Sequence, residues 1–303
     1  MPKKIKSRRT TAKAKAKKTA RRTVRHTTRP RRTTTPVPSQ VTTTVTTTVT
    51  TPAPVHASPT RQTLVSFILD ETGSMQSVKD RTISGFNEYI QTLRNKGGNV
   101  LFTLTKFNSA KTEIVHTGTP IAAVNELTPY SYQPNHGTPL YDAIGRTIAA
   151  LDRDVIGRRD NPAVLVVIMT DGEENSSQEF NLPKVNELIK SREARGWDFV
   201  YLGANHNAWQ SAQSLGMSFG NTAQYDQGNT RSVLCAAASA TLRYATSNAL
   251  GGASASPRAA LFNVGERTII ESKTVIDKVD IDSLTQDATA GVVGVPDPTV
   301  STK

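Results

Sequence analysis

Two runs of apolar residues in this chain each end within two positions of an acid. Leu64–Leu69 reads Leu-Val-Ser-Phe-Ile-Leu and is followed by Asp70, while Val164–Met169 reads Val-Leu-Val-Val-Ile-Met and is followed by Thr170-Asp171-Gly172. Short runs without polar alternation are the mark of strands covered on both faces. In an open parallel sheet, binding sites form at the carboxyl ends of the strands. If these two strands are neighbours, Asp70 and Asp171 arrive at the same edge.

The chain between and after them supplies the helices such a sheet needs. Val78 to Lys96 carries Ile83, Phe86, Ile90 and Leu93 at helical spacing and closes on Gly97-Gly98, which predicts an amphipathic helix with a glycine stop. Val100–Phe107 and Thr112–Thr117 read as strands joined by the polar connection Asn108–Lys111. Leu140, Ala143, Ile144, Thr147, Ile148 and Leu151 repeat with helical period, Leu182–Arg195 is a further helix stopped at Gly196, and Asp198–Leu202 is a strand ending at Gly203. Ala208–Leu215 and Thr230–Ser247 also read as helices. Buried strands alternating with amphipathic helices predict an α/β fold, a doubly wound and mostly parallel sheet flanked by helices.

The residues that follow the first strand carry chemistry. Asp70, Thr72 and Ser74 fall at alternate positions, with Gly73 between the last two, so a loop leaving the strand can turn all three oxygens toward one point. One carboxylate with two hydroxyls is a hard-oxygen set, suited to Mg²⁺ or Mn²⁺ and not to zinc, which prefers imidazole and thiolate. Further ligands must come from elsewhere. Asp171 is one, and Thr138, in the loop Asn135-His136-Gly137-Thr138-Pro139-Leu140 just before a helix start, offers a third hydroxyl. Ser, Thr and Asp also cap helices and turns, which is the plainer use of the same residues.

Three separated pieces, Asp70-Glu71-Thr72-Gly73-Ser74, Thr138-Pro139-Leu140-Tyr141-Asp142-Ala143-Ile144 and Asp171-Gly172, stand in order. Together they resemble the von Willebrand factor A domain and its metal-ion-dependent adhesion site, over about residues 62 to 250, with Thr72 in place of the usual middle serine. The resemblance implies a Rossmann-like α/β domain holding Mg²⁺, or Mn²⁺. The implied ligands are Ser74, Thr72 and Thr138 through their hydroxyls, and Asp70 and Asp171 directly or through water. It also implies a protein partner whose acidic residue completes the metal's coordination. The compact form, flanked by low-complexity arms, looks most like bacterial or phage versions of the domain.

Charge divides the rest of the chain. The formal net charge is +12, yet residues 1 to 40 hold 15 Lys or Arg and no Asp or Glu, which leaves −3 on the other 263 residues. Residues 1–32 are expected to be a basic disordered tail with too little apolar surface to fold. Nucleic acid or another polyanion is a candidate partner for it, bound through phosphates without sequence reading; solubility and targeting are the other uses of such a run. Residues 33–61 form a Thr/Pro-rich linker with the repeat Val41-Thr42-Thr43-Thr44-Val45, whose prolines favour extended segments. Residues 251–303 open on a Gly/Ser/Ala break and are expected to be mostly loose, with a short strand or helix within Leu261–Val279.

No apolar segment follows the basic run as in a signal peptide, and no run of about 18 apolar residues suggests a membrane span. A cytoplasmic location, in a host cell or in a virion if phage-encoded, is expected. Cys235, the single cysteine, allows no intrachain disulfide and reads as a buried small apolar residue.

Nothing in the motifs demands catalysis. A phosphate-binding loop and the second Asp of a D-x-D-x-T site are missing. The leading expectation is a non-enzymatic, Mg²⁺-dependent protein-binding module. Two alternatives stay open: a metal-dependent hydrolase of phosphate esters, with Glu71, Glu173 or His136 as base, and a nucleic-acid-coating protein whose folded domain is a spacer. Glu173 and Glu174 read as a solvated acidic turn, and His136 and His206 as histidines near the metal edge.

Overall fold

The computed structural model describes residues 61–204, 207–249 and 260–272. The tail and linker expected before residue 61, His206, the break at 251–257 and the last part of the C-terminal region lie outside them.

In chain order the elements are β1 (Thr63–Asp70), α1 (Lys79–Lys96), β2 (Val100–Asn108), β3 (Lys111–Pro120), α2 (Leu140–Ile156), β4 (Ala163–Thr170), α3 (Leu182–Glu193), β5 (Trp197–Gly203), α4 (Ala208–Ser214), β6 (Thr222–Gln224), α5 (Thr230–Ala249) and α6 (Val264–Glu271). A 3₁₀ turn over Gly73–Val78 carries the chain from β1 into α1. The strands form one sheet in the order β3-β2-β1-β4-β5-β6. Every pairing is parallel except the β2–β3 hairpin. The α/β expectation is met, and β1 and β4 are direct neighbours, with Phe67 opposite Val167 and Leu69 opposite Met169.

Alternation along the strands divides the core in two. Val65, Phe67 and Leu69 face α1 and α5, while Leu64 and Ile68 face α2, α3 and α4. On the first side Phe67 meets Phe86 and Tyr89 edge to face, with ring centroids 5.5 and 5.3 Å apart, an arrangement each pair favours by about 0.5–1.5 kcal/mol beyond burial. Helix α5 is mostly buried and rich in alanine, and it packs against the sheet, α1 and α6. At Gly85 a Cβ would stand 2.8 Å from Leu234 Cδ1, so the α1–α5 contact needs a residue without a side chain there. Chain reversal after β1, to β2 on one side and β4 on the other, makes the β1/β4 edge the topological switch point where α/β sheets bind ligands.

One strand escapes the sequence reading, and the short element expected within Leu261–Val279 is a helix, α6. The three-residue β6 at the sheet edge is too short to show a period. Within the region after residue 251, α6 packs against α5, and Ile270 is buried in the first core. Its start carries a reciprocal capping box between Asn263 and Glu266.

Candidate metal centre

The end of β1 sets the geometry. The Asp70 carboxylate accepts the Thr72 N–H at 2.7 Å, forming a local turn, and accepts the Thr170 hydroxyl at 2.6 Å from the neighbouring strand β4. That turn aims the next two hydroxyls the same way: Thr72 Oγ1 and Ser74 Oγ are 3.1 Å apart. Ser74 Oγ donates to Asp171 Oδ1 at 2.6 Å, across 97 positions of chain. Gly172 lies beneath them, and a Cβ on it would stand 3.1 Å from Thr138 Oγ1 and 3.4 Å from Ser74 Oγ. The structure therefore brings Asp70, Thr72, Ser74, Thr138 and Asp171 together at one point.

The third piece is positioned by backbone hydrogen bonds. Gly73 N–H donates to His136 O at 2.9 Å and Asn135 N–H to Glu71 O at 3.0 Å, which ties the loop before α2 to the loop after β1. Thr138 N–H donates to Asn175 Oδ1 at 2.8 Å. Glu174 is not simply a solvated acid, as its sequence position suggested. Its carboxylate accepts from Tyr141 N–H in the first turn of α2 and from the N–H groups of Ser176 and Ser177, so it caps the helix and fixes the loop after β4. Glu173 does lie exposed, accepting from Asn207 Nδ2 at 2.8 Å.

Electrostatically the cluster is unbalanced. Asp70, Thr72, Thr138 and Asp171 are buried, and exposed Ser74 forms the mouth. Burial pushes the Asp70 carboxyl up to about 6, against the hydrogen bonds from Thr170 and Thr72, and the neighbouring Asp171 adds to the rise. Among the described residues, the main groups acting on Asp70 include no cation. Burial raises Asp171 as well, opposed by hydrogen bonds from Ser74 and Gln227.

Three residues of the site have little sequence signal. Thr170 precedes Asp171 directly, and only its strand-end position hints at its bond to Asp70. The Tyr132 hydroxyl donates to Asp70 O at 2.6 Å, and Gln227 Nε2 donates to Asp171 Oδ2 at 3.1 Å. Both come from loops that periodicity does not place. Of the bases weighed for hydrolysis, Glu71 is committed elsewhere: it is buried against Lys106, with Nζ–Oε1 3.3 Å, and accepts the Gln133 N–H at 2.7 Å.

The donor set fits a hard divalent ion: two carboxylates and three hydroxyls, with the repulsion between Asp70 and Asp171 there to be relieved. Among the described residues no three His, Cys, Asp or Glu form a cluster that could hold a metal, so a transition-metal site of the nitrogen and sulfur kind is not formed by them. Also among the described residues, no helix is long and apolar enough to cross a membrane.

No family model matches the sequence. No curated protein matches it either. Solved structures do. Proximal thread matrix protein 1 from the mussel byssus is 13% identical over 58% of this chain and 46% of that one, with a TM-score of 0.44. The manganese-loaded TRAP protein of Plasmodium vivax is 16% identical, covering 56% of this chain and 71% of that one at a TM-score of 0.41. The vWF domain of the type V pili tip protein Mfa5 from Porphyromonas gingivalis is 9% identical, covering 59% and 94%, at 0.45. The fold this chain shows by its own sheet order is an open, mostly parallel α/β sheet. This chain spans less than half the length of the first of these proteins, and the site stands on its own geometry.

Proposed function

We propose that this protein is a Mg²⁺- or Mn²⁺-dependent protein-binding module, and that Asp70, Thr72, Ser74, Thr138 and Asp171 hold the ion. One observation carries the reading: Ser74 Oγ and Asp171 Oδ1 lie 2.6 Å apart, with Thr72 Oγ1 3.1 Å from the same serine oxygen. Oxygens from three loops share the room of a single coordination sphere. When bound, the ion would supply a positive centre with a position open for an outside carboxylate. The chain's residues do the rest. Thr170 and the Thr72 N–H orient the Asp70 carboxylate, Gln227 orients that of Asp171, and Glu174 locks the loop that frames Thr138. Burial of four of the five residues excludes water from all sides but the mouth at Ser74.

Commitment of Glu71 to Lys106 supports binding over metal-assisted hydrolysis, because it removes the nearest candidate base. The basic residues 1–32 would add attachment to nucleic acid or another polyanion, a role independent of the metal. Titration calorimetry with MgCl₂ and MnCl₂ tests the site: uptake of one ion by the wild type and none by Asp70→Ala is expected. Pull-down of an acidic partner that a chelator abolishes would complete the test. Absence of uptake at millimolar metal would overturn the reading.

A further inference from the structure

Two buried tyrosines stand near the metal centre, and their hydroxyls are served differently. Tyr132 donates to Asp70 O at 2.6 Å. Tyr225, one residue beyond β6, is only 5% exposed, and among the described residues its hydroxyl has no hydrogen-bond partner of ordinary geometry. Thr230 is close enough to act on it. The Thr230 hydroxyl, however, donates its own hydrogen to Gln227 O at 2.7 Å, so toward Tyr225 it is an acceptor, and the Tyr225 oxygen still receives no hydrogen. A buried polar group left in this way costs free energy and calls for an explanation.

The place of Tyr225 narrows that explanation. Its N–H donates to Gly203 O at 3.0 Å, and Gly203 pairs with Thr170 across β5 and β4, which sets Tyr225 at the same sheet edge as Asp70 and Asp171. The loop it opens is tied down. Asp226 Oδ1 accepts the Gly228 N–H at 2.7 Å, Asp226 O accepts the Asn229 N–H at 2.8 Å, and Gln227 Nε2 reaches Asp171 Oδ2 at 3.1 Å. The Tyr225 ring lies in the same core cluster as Leu69 and Met75, which stand immediately before Asp70 and immediately after Ser74. A serine or threonine hydroxyl can turn onto a nearby backbone carbonyl, but a tyrosine hydroxyl goes where its packed ring goes.

Burial foremost, then the charges of Asp171 and Asp70, push the Tyr225 hydroxyl far above its ordinary range. It stays neutral, and adds no third negative charge to the two acids. What it offers is an acceptor oxygen beside them. Mg²⁺ gives up its waters reluctantly and keeps several of them in a protein site, and water on a divalent cation is a strengthened donor.

We infer that Tyr225 is a positioning residue of the metal centre, its hydroxyl oxygen accepting a hydrogen bond from a water that the ion carries on the Asp171 side. The inference rests on the metal reading, which supplies that water. It accounts for the difference between the two tyrosines: Tyr132 finds its partner within the protein, and Tyr225 finds one when the ion binds.

The test compares the full chain with Tyr225→Phe, which keeps the ring and removes the oxygen. Calorimetric titration with MnCl₂ is expected to show a loss of affinity of about tenfold, in the range for a partner one step outside the coordination sphere. The denaturation midpoint of the metal-free protein should not fall, since the oxygen has no donor there. A spectroscopic reading separates this role from packing: MgCl₂ should perturb the ultraviolet absorption of the tyrosines in the wild type, and the perturbation should shrink in Tyr225→Phe. Unchanged affinity, an unchanged difference spectrum or a lower metal-free midpoint would each overturn the role of Tyr225 while leaving the metal reading intact. No uptake of Mn²⁺ by the wild type would overturn both.

Discussion

Asp70 and Glu71 are consecutive acids, both essentially buried, and they meet opposite fates. Glu71 has its counter-charge built in: Lys106, on the neighbouring strand, with the Gln133 N–H as a second partner. Among the described residues, Asp70 accepts from neutral donors and has a second acid nearby. A buried carboxylate with no cation costs free energy unless something outside provides one. The difference therefore separates an acid satisfied by the fold from one that the proposed ion would satisfy.

The largest test removes the built-in partner. Lys106→Met should destabilise the fold by about 3–5 kcal/mol by stranding Glu71, read as a lower denaturation midpoint, and adding Glu71→Gln should restore part of the loss. The opposite sign is expected next door. Asp70→Asn removes the uncompensated charge and should raise the stability of the metal-free protein at neutral pH by up to about 3 kcal/mol, the worth of a carboxyl moved from 3.8 to about 6, while it abolishes metal uptake. If Asp70→Asn destabilises the metal-free protein as Lys106→Met does, the contrast fails.

The same imbalance has a pH signature. Asp70 is raised in the folded state, so the native protein binds the extra proton between about pH 4 and 6. Stability of the metal-free protein should accordingly fall as pH rises through that window and flatten above it. With the ion competing against that proton, Mg²⁺ affinity should drop as pH is lowered through about 6, measurable by calorimetry at a series of pH values. Smallest is Gln227→Ala, which removes the donor to Asp171 Oδ2 and should weaken metal binding about tenfold, in the range for a partner one step outside the coordination sphere. It should leave the Lys106–Glu71 side of the edge unchanged.

Much of this arrangement is legible in the residues. The apolar runs ending at Asp70 and Asp171 give the central strands, and Thr72, Ser74 and Thr138 are identifiable because the motif pieces keep their local spacing. The roles of Glu174, Thr170, Tyr132 and Gln227 are not legible in this way. Each reaches its partner across 33 to 100 positions or from an irregular loop, and short-range period carries no signal for such contacts. Glu174 shows the limit: beside Asp171 it reads as part of an acidic turn, yet the position of α2 makes it a cap.

Local pattern alone determined which of the longer segments are strands and helices, because burial on one face or two writes a period into neighbouring residues. It also determined the kind of atoms offered to a metal, since donor chemistry belongs to the side chain itself. Only the tertiary structure decided which of two adjacent carboxylates receives a lysine and which does not, because that depends on the register of β2 against β1, where Asp70 stands opposite Phe107 and Leu69 opposite Lys106. Charge balance in a protein interior is a property of assembled strands, and no single stretch of chain contains it.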